Sequence, residues 1–437
     1  MWKRSFRLFG ILMGPLRPEK HFSMVTIRPF KGLRPVPELA AQVAALPYDV
    51  VNEAEARRFK AQPNHFYHVT RSEIDLAEGT DVHSATVYEK AYENLECMID
   101  EGVLREDPEP CYYLYELTMD GRSQTGLVCG SSCDDYFNNL VRKHEFTRPV
   151  KEKDRIDHIR ATRAQTGMVF LAYRDVEAVQ KLIRDWKESH APVYDFAAED
   201  GVQHRFWVVD DYAKVSTLTH LFRTEVPCTY IADGHHRAAA AGKLCLEMRE
   251  AGYQITGEEA FNAFLTAIFP ESELHILDYN RIVKDLNEMT PEVFMGRLAE
   301  NFEIADAPES PYRPRKAGEF GMYLDGKWYC LEAKPDTYDA SHPIASLDVS
   351  ILQENLLAPV LGIDNPRTND RVDFVGGIRG LQTLADRVDA GEGAVAFSCY
   401  PVSIAELLAV ADSGEVMPPK STWFEPKLRD GLVTYRI

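Results

Sequence analysis

Five consecutive residues, Asp233-Gly234-His235-His236-Arg237, place a carboxylate, two imidazoles and a guanidinium on one tight turn. The apolar run Thr229 to Ala232 before them reads as a short strand, and the alanine run after them, with Leu244, Leu246 and Met248, reads as a helix. Gly234 permits a positive φ or a close approach to a ligand, and Asp233 is placed to cap the helix. A helix start carries unpaired N–H groups and partial positive charge, so His235, His236 and Arg237 there predict a seat for phosphate or carboxylate. A surface or packing role competes for any single histidine. The clustering favours the anion seat. Zinc is disfavoured because the chain contains neither H-E-x-x-H nor C-x-x-C, and adjacent histidines on a helix diverge; no metal ligands are expected.

Two further stretches carry chemistry. Between Leu140 and Arg155, basic residues crowd the end of a short strand, and Glu145 is the only acid from Lys143 to Arg148. Surrounding bases keep such a carboxylate ionised, which suits an acceptor of a hydroxyl proton; the competing role is to neutralise Arg142, Lys143 or Arg148. Near the C-terminus, Met417 to Lys427 contains three prolines that exclude regular structure. It reads either as a tail packed by Trp423 and Phe424 or as a loop lining the site through Lys420, Ser421, Thr422 and Lys427.

The elements that must position these groups follow from periodicity. Asn52 is expected to cap a helix over Glu53 to Gln62, and Thr80 to Glu101 has a helical stripe of Val87, Ala91, Leu95, Met98 and Ile99. His65 to Arg71 alternates and is rich in aromatic and β-branched residues, which predicts a strand with His65 and His68 on opposite faces. Tyr112 to Leu117, the turn at Asp120-Gly121 and Thr125 to Cys129 predict a hairpin. A helix over Asp154 to Arg163, a strand over Met168 to Tyr173, a helix over Val176 to Glu188, a strand over Phe206 to Asp210 and a helix over Tyr212 to Phe222 lead to the strand that carries Asp233. This alternation predicts an α/β unit with its polar site at strand ends. Beyond it come strands at Ala263 to Phe269 and Ile276 to Arg281, a helix at Pro291 to Asn301 capped by Thr290, a hairpin over Gly318 to Leu331, and further helices over Asp348 to Leu357 and Ile404 to Ser413.

The chain has 437 residues, 45% hydrophobic and 27% charged, with a formal charge of −19. It is long enough for two or three domains, and so acidic a surface argues against general nucleic-acid binding. Eight cysteines without a repeated spacing read as reduced thiols, so a cytoplasmic location is expected. The apolar run Leu8 to Met13 is too short and too interrupted for a signal peptide, and no other run is long enough to span a bilayer. Residues 1–23 are expected to be a disordered extension, with Met24 as the start of the folded protein.

Taken together, Leu46-Pro47-Tyr48-Asp49-Val50, Lys143-His144-Glu145-x-Thr147, Asp233 to Arg237 and Pro418-Pro419-Lys420-Ser421-Thr422 resemble the family called domain of unknown function 1015, over nearly the whole chain from Met24. The middle portion is similar to the ParB/sulfiredoxin-like superfamily and, within it, to the free serine kinases. That resemblance implies a mixed α/β (α+β) fold: an N-terminal α+β region over 24–135, a ParB/sulfiredoxin-like catalytic core over 136–285 and a C-terminal α+β region over 286–437. It also implies Glu145, Asp233 and His236 as catalytic residues. Gly234, His235, His236, Arg237, His144 and Thr147 would hold nucleotide phosphates, and Lys420, Ser421 and Thr422 the substrate. The sulfiredoxin cysteine would fall near His235, so ATP-dependent thiol chemistry is not implied.

The expected activity is a phosphotransferase that uses ATP or ADP with Mg²⁺ and a small hydroxyl metabolite, plausibly free L-serine. A phosphatase or phosphoserine-handling enzyme and a non-catalytic nucleotide-responsive protein are the alternatives. Expected partners are the nucleotide and an amino acid, with no nucleic acid and no membrane; a homodimer is left open.

Overall fold

The computed structural model describes residues 24–253 and 256–437, so the extension expected over residues 1–23 lies outside the described residues. The fold is a mixed α/β arrangement. Among the described residues nine strands form one central sheet: β1 (Ile27–Arg28), β2 (Tyr112–Met119), β3 (Arg122–Ser132), β4 (Val141–Arg142), β5 (Val169–Tyr173), β6 (Tyr194–Ala197), β7 (Gln203–Val209), β8 (Thr229–Asp233) and β9 (Ala263–Pro270). Their order is β4-β8-β5-β9-β3-β2-β7-β6, with β1 against β3. The pairs β4/β8 and β5/β9 are parallel and the rest antiparallel. Strands from both sides of residue 135 share this sheet.

Both faces of the sheet are covered, and side-chain alternation sorts the strand residues between them. On β8, Ile231 joins Leu171 of β5 in a core with Val179, Leu182 and Trp186 from helix α3 (Glu177–Ser189), which follows α1 (Ala85–Asp100) and α2 (Pro149–Thr162) in the chain. Leu218 and Phe222 from α4 (Tyr212–Glu225), and Ala238 and Ala241 from α5 (His235–Glu250), complete it. Tyr230 and Ala232 point to the other face, where Phe170 packs with Leu407 and Leu408 of a C-terminal helix and with Phe424, Leu428 and Leu432 of the terminal loop. The C-terminal loop is therefore part of the core of the central sheet. Its last strand, Thr434–Arg436, pairs with Gly32–Pro35 and Ala164–Gln165.

A second sheet comprises β10 (Tyr279–Val283), β11 (Phe302–Asp306), β12 (Glu319–Leu324), β13 (Lys327–Ala333), β14 (Val372–Gly376) and β15 (Val395–Cys399), in the order β11-β13-β12-β15-β10-β14. The expected hairpin over Gly318 to Leu331 is β12–β13. Trp423–Phe424 forms a small antiparallel ladder with Ile276–Leu277, and the Trp423 ring meets Tyr279 edge-on at 5.2 Å. These contacts hold the terminal loop across the start of the second sheet.

Two local expectations fail for physical reasons. His65 to Arg71 is not a strand but holds a helical turn, Tyr67–Thr70, because the neighbours Phe66 and Tyr67 enter one core together with Val69, whereas a strand would send adjacent side chains to opposite faces. Helix α2 begins at Pro149 rather than Asp154, with proline in the first turn where its missing N–H costs nothing. The expected cap on Glu53 is present as a full capping box between Asn52 and Glu55, although the helix ends at Arg57.

Gly376 shows how tightly the terminal loop is seated: a Cβ there would lie 2.7 Å from the Trp423 ring atoms Cδ2 and Cε3. Gly376→Ala is expected to lower the melting temperature through an over-packing penalty of about 1–3 kcal/mol. Thermal unfolding checks this, and an unchanged midpoint would show that the indole moves freely.

Candidate functional site

Strand β8 runs into helix α5 through Gly234, whose φ of 95° lies in the region that favours glycine. Asp233 does not cap α5: Gly234 occupies the cap position and no side chain supplies a cap hydrogen bond. The Asp233 carboxylate is instead paired with Lys427 at 3.2 Å and with Arg237 at 3.7 Å. Burial alone would raise its pKa, but Lys427 and Arg237 hold it well below the usual carboxylate range. Asp233 therefore stays charged and ties the helix start to the C-terminal loop.

The two histidines of the turn hold the Glu145 loop. His236 Nε2 accepts from the Arg148 backbone N–H at 3.0 Å, and His235 Nε2 accepts a long hydrogen bond, 3.5 Å, from the His144 N–H. The His144 and His235 rings meet edge-to-face at 4.5 Å. Burial lowers the pKa of His144 to about 4 and puts that of His235 well below its usual value, so both rings are neutral at pH 7. A neutral imidazole can accept an N–H, which is the role His235 and His236 take here. The Met417 N–H donates to the His144 carbonyl at 2.8 Å, so the terminal loop also grips this segment.

These contacts frame a cleft of ≈ 260 Å³ whose walls include Asp49, His144, Glu145, Asp233, His235 and Tyr279. The terminal loop lines the cleft as well, through Lys420, Ser421, Thr422, Trp423 and Lys427. The terminal segment thus takes both roles the sequence left open, packing through Phe424 and lining the cleft through its lysines. Lys420 has a φ of 59°, its carbonyl accepts from Arg281 Nη2 at 3.1 Å, and its ammonium lies over the Tyr279 ring at 5.7 Å. Lys427 lies over the Trp423 ring at 4.7 Å. Ser421 Oγ donates to the Pro418 carbonyl at 2.7 Å, which closes the turn and leaves the oxygen free to accept. Burial raises the pKa of Glu145 above its ordinary value of 4.5, and Lys420 and Arg367 partly offset that rise. A carboxylate so placed is more basic than one in water.

The structure brings Glu145, His144, Asp233, His235, Lys420, Ser421 and Thr422 to one cleft, with Gly234 shaping the turn beside it. Three expected residues point elsewhere. His236 is engaged by the Arg148 backbone. The Thr147 hydroxyl donates to Glu152, which also receives Lys243. Arg237 folds under the turn, its guanidinium near the position a Cβ on Gly234 would occupy, and donates to the Met168 carbonyl. It lines a narrow internal crevice with Tyr48, Arg155 and Asp430.

Sequence reasoning missed Tyr279 and Arg367, which carry no local signal. It named Asp49 only within a motif. Among the described residues no group of three or more His, Cys, Asp or Glu side chains is arranged to hold a metal ion. A Mg²⁺ ion bound with a polyphosphate needs only one or two carboxylates; Asp49 supplies one in the cleft, while Asp233 is held by Lys427 and Arg237.

Arg237→Ala is expected to destabilise the fold by about 1–3 kcal/mol, because it leaves the Met168 carbonyl without its donor and the half-buried Asp233 charge with one partner fewer. Arg237→Lys is expected to recover little of this, since a single ammonium does not reproduce the guanidinium fork. Chemical denaturation measures both. A stable Arg237→Ala protein that had lost anion binding would return Arg237 to the ligand-contacting set.

Residues 27–350 match the family model described as "Protein of unknown function (DUF1015)", and the chain belongs to that family. No curated protein matches it. Among solved structures, a free serine kinase in complex with AMP is 13% identical with a TM-score of 0.36, covering 70% of this chain and 91% of that one. A conserved hypothetical protein from Pyrococcus furiosus is 13% identical with a TM-score of 0.34, covering 70% and 94%. SbnI from Staphylococcus aureus, truncated at its C-terminus, is 12% identical with a TM-score of 0.35, covering 70% and 86%. No helix among the described residues is long and apolar enough to cross a membrane.

Proposed function

We propose that this member of the DUF1015 family is a nucleotide-dependent phosphotransferase acting on a small hydroxyl metabolite, with free L-serine as the first acceptor to test. The observation that carries the reading is Glu145, a carboxylate of raised basicity, lining a cleft together with Lys420 and Lys427. A base and two cations in one cleft suit phosphoryl transfer to an alcohol, because the acceptor proton must leave while charge on the transferred group is spread.

In this reading the acceptor hydroxyl gives its proton to Glu145 as its oxygen bonds to the terminal phosphorus. The bond from that phosphorus to the bridging oxygen breaks, and the shortened nucleotide leaves with the bridging oxygen. Lys420 and Lys427 stabilise the equatorial oxygens. Asp233 fixes Lys427 in place and does not act as a base, because its partners keep it weakly basic. Ser421 and Thr422 offer hydroxyls to orient the acceptor's polar groups. Asp49 would hold a Mg²⁺ ion arriving with the nucleotide, which would supply charge neutralisation.

Incubation with ATP or ADP, Mg²⁺ and L-serine, followed by phosphorus NMR, tests the reaction; a panel of other hydroxyl metabolites tests the acceptor. Glu145→Gln is expected to reduce turnover by roughly 10²- to 10⁴-fold with nucleotide affinity little changed. The base must be ionised, so kcat/KM should fall as pH drops through the Glu145 pKa, giving an acid limb above 4.5, the ordinary glutamate value. Full activity in Glu145→Gln, or an acid limb unmoved by Glu145→Asp, would remove Glu145 from the mechanism.

A further inference from the structure

A cleft of ≈ 260 Å³ is small for two reactants, since cavities that enclose one small molecule span about 300–1,000 Å³. A larger cavity of ≈ 560 Å³ adjoins it. Asp49 belongs to the walls of both, and the loop that sends Glu145 into the cleft sends Arg148 into the larger cavity. That loop is the partition between the two spaces.

We propose that the larger cavity is a nucleoside pocket, with the polyphosphate leaving it past Arg148, Lys151 and Asp49 toward the cleft. The inference rests on the phosphotransferase reading. The cavity is two-sided in character. Val51, Val82, Val87, Pro149 and Val150 give it apolar walls, suited to a planar base. Arg148 and Lys151, both exposed, put positive charge at the end nearest the Glu145 loop, suited to an anionic tail.

The polar groups deeper in the cavity are already paired. Asp154 accepts from the Tyr88 hydroxyl at 2.8 Å, is bonded to His83 Nδ1 at 3.0 Å and pairs with Arg155 at 2.7 Å. Arg155 in turn lies over the Tyr48 ring at 3.8 Å. A floor whose charges are neutralised internally offers shape and a few hydrogen-bond edges, not a second anion site. A molecule with one neutral planar end and one polyanionic end satisfies both halves, and a nucleoside polyphosphate is that molecule. The negative Asp49 on the shared wall would oppose the tail unless a divalent cation accompanied it, so binding should need Mg²⁺.

The test is calorimetry on the full chain with ATP and, separately, inorganic tripolyphosphate, each with Mg²⁺, on wild type, Val82→Trp and Val150→Trp. Val82 is half-buried in a turn and Val150 is exposed at the start of α2, so both variants should fold, which circular dichroism checks. The expected result is that an indole in the cavity raises the Kd for ATP at least tenfold while tripolyphosphate affinity stays within about twofold of wild type. If both variants bind ATP as wild type does, the nucleoside lies elsewhere and only this inference falls. If ATP and tripolyphosphate weaken together, the effect is not on the nucleoside and this inference also falls. If wild type binds neither, the phosphotransferase reading falls with it.

Discussion

The site depends on one half-buried ionic contact, the Asp233 carboxylate held between Lys427 and Arg237. Asp233 ends the strand, Arg237 starts the helix and Lys427 comes from a loop 194 residues further along the chain. An ion pair taken from water loses hydration that its Coulomb attraction only partly restores, so such a contact contributes more to geometry than to net stability. Its effect here is to fix which way the turn and the loop face. With Asp233 saturated by its two partners, the cleft presents Glu145 as its basic carboxylate. Two acids of one cleft are thereby shifted in opposite directions, Asp233 toward weaker and Glu145 toward stronger basicity.

The helix start illustrates a division of labour. Exposed N–H groups, histidines and an arginine at a glycine turn suggest a ligand seat, yet in this chain His236 and Arg237 are spent on scaffolding: one accepts from the Glu145 loop, the other braces the turn from beneath. The cations that face the cleft come from the terminal loop, where aromatic rings seat them: Tyr279 under Lys420 and Trp423 under Lys427. Ring faces attract ammonium groups without neutralising them, as a carboxylate would. Lys420 so placed remains available to an incoming anion, while Lys427 is shared with Asp233.

How much of this was legible in the sequence depended on range. The apolar run before Asp233 and the alanine run after it announce the strand and helix, and local chemistry announces the caps Asn52 and Thr290, whereas the Ser403 cap goes unread. The glycine turn was legible because only one residue type tolerates that φ comfortably. Failures came where tertiary packing overrode local preference. His65 to Arg71 has strand composition, but its aromatic residues pack with Phe59 as a helical turn. The direction of Arg237 is illegible for another reason: its pairing with Asp233 follows i,i+4 spacing, but the Met168 carbonyl that it donates to is set by how β5 and β8 lie side by side. Tyr279 and Arg367 act on the site from the second sheet and from a loop, and no pattern near them announces it.

The position of Glu145 explains why the loop that carries it is restrained at both ends. His235 and His236 accept from its backbone near residues 144 and 148, and Met417 donates to the His144 carbonyl. A general base displaced by an ångström loses much of its effect, since proton transfer needs hydrogen-bond contact with the acceptor hydroxyl. Neutral imidazoles suit this role because a protonated ring has no lone pair left to accept the backbone N–H. Burial therefore does two things at once: it keeps the His235 ring neutral so that it can hold the loop, and it raises the basicity of the carboxylate that the loop presents. The same low-dielectric setting that raises the basicity of Glu145 thus preserves the hydrogen bond that positions its loop.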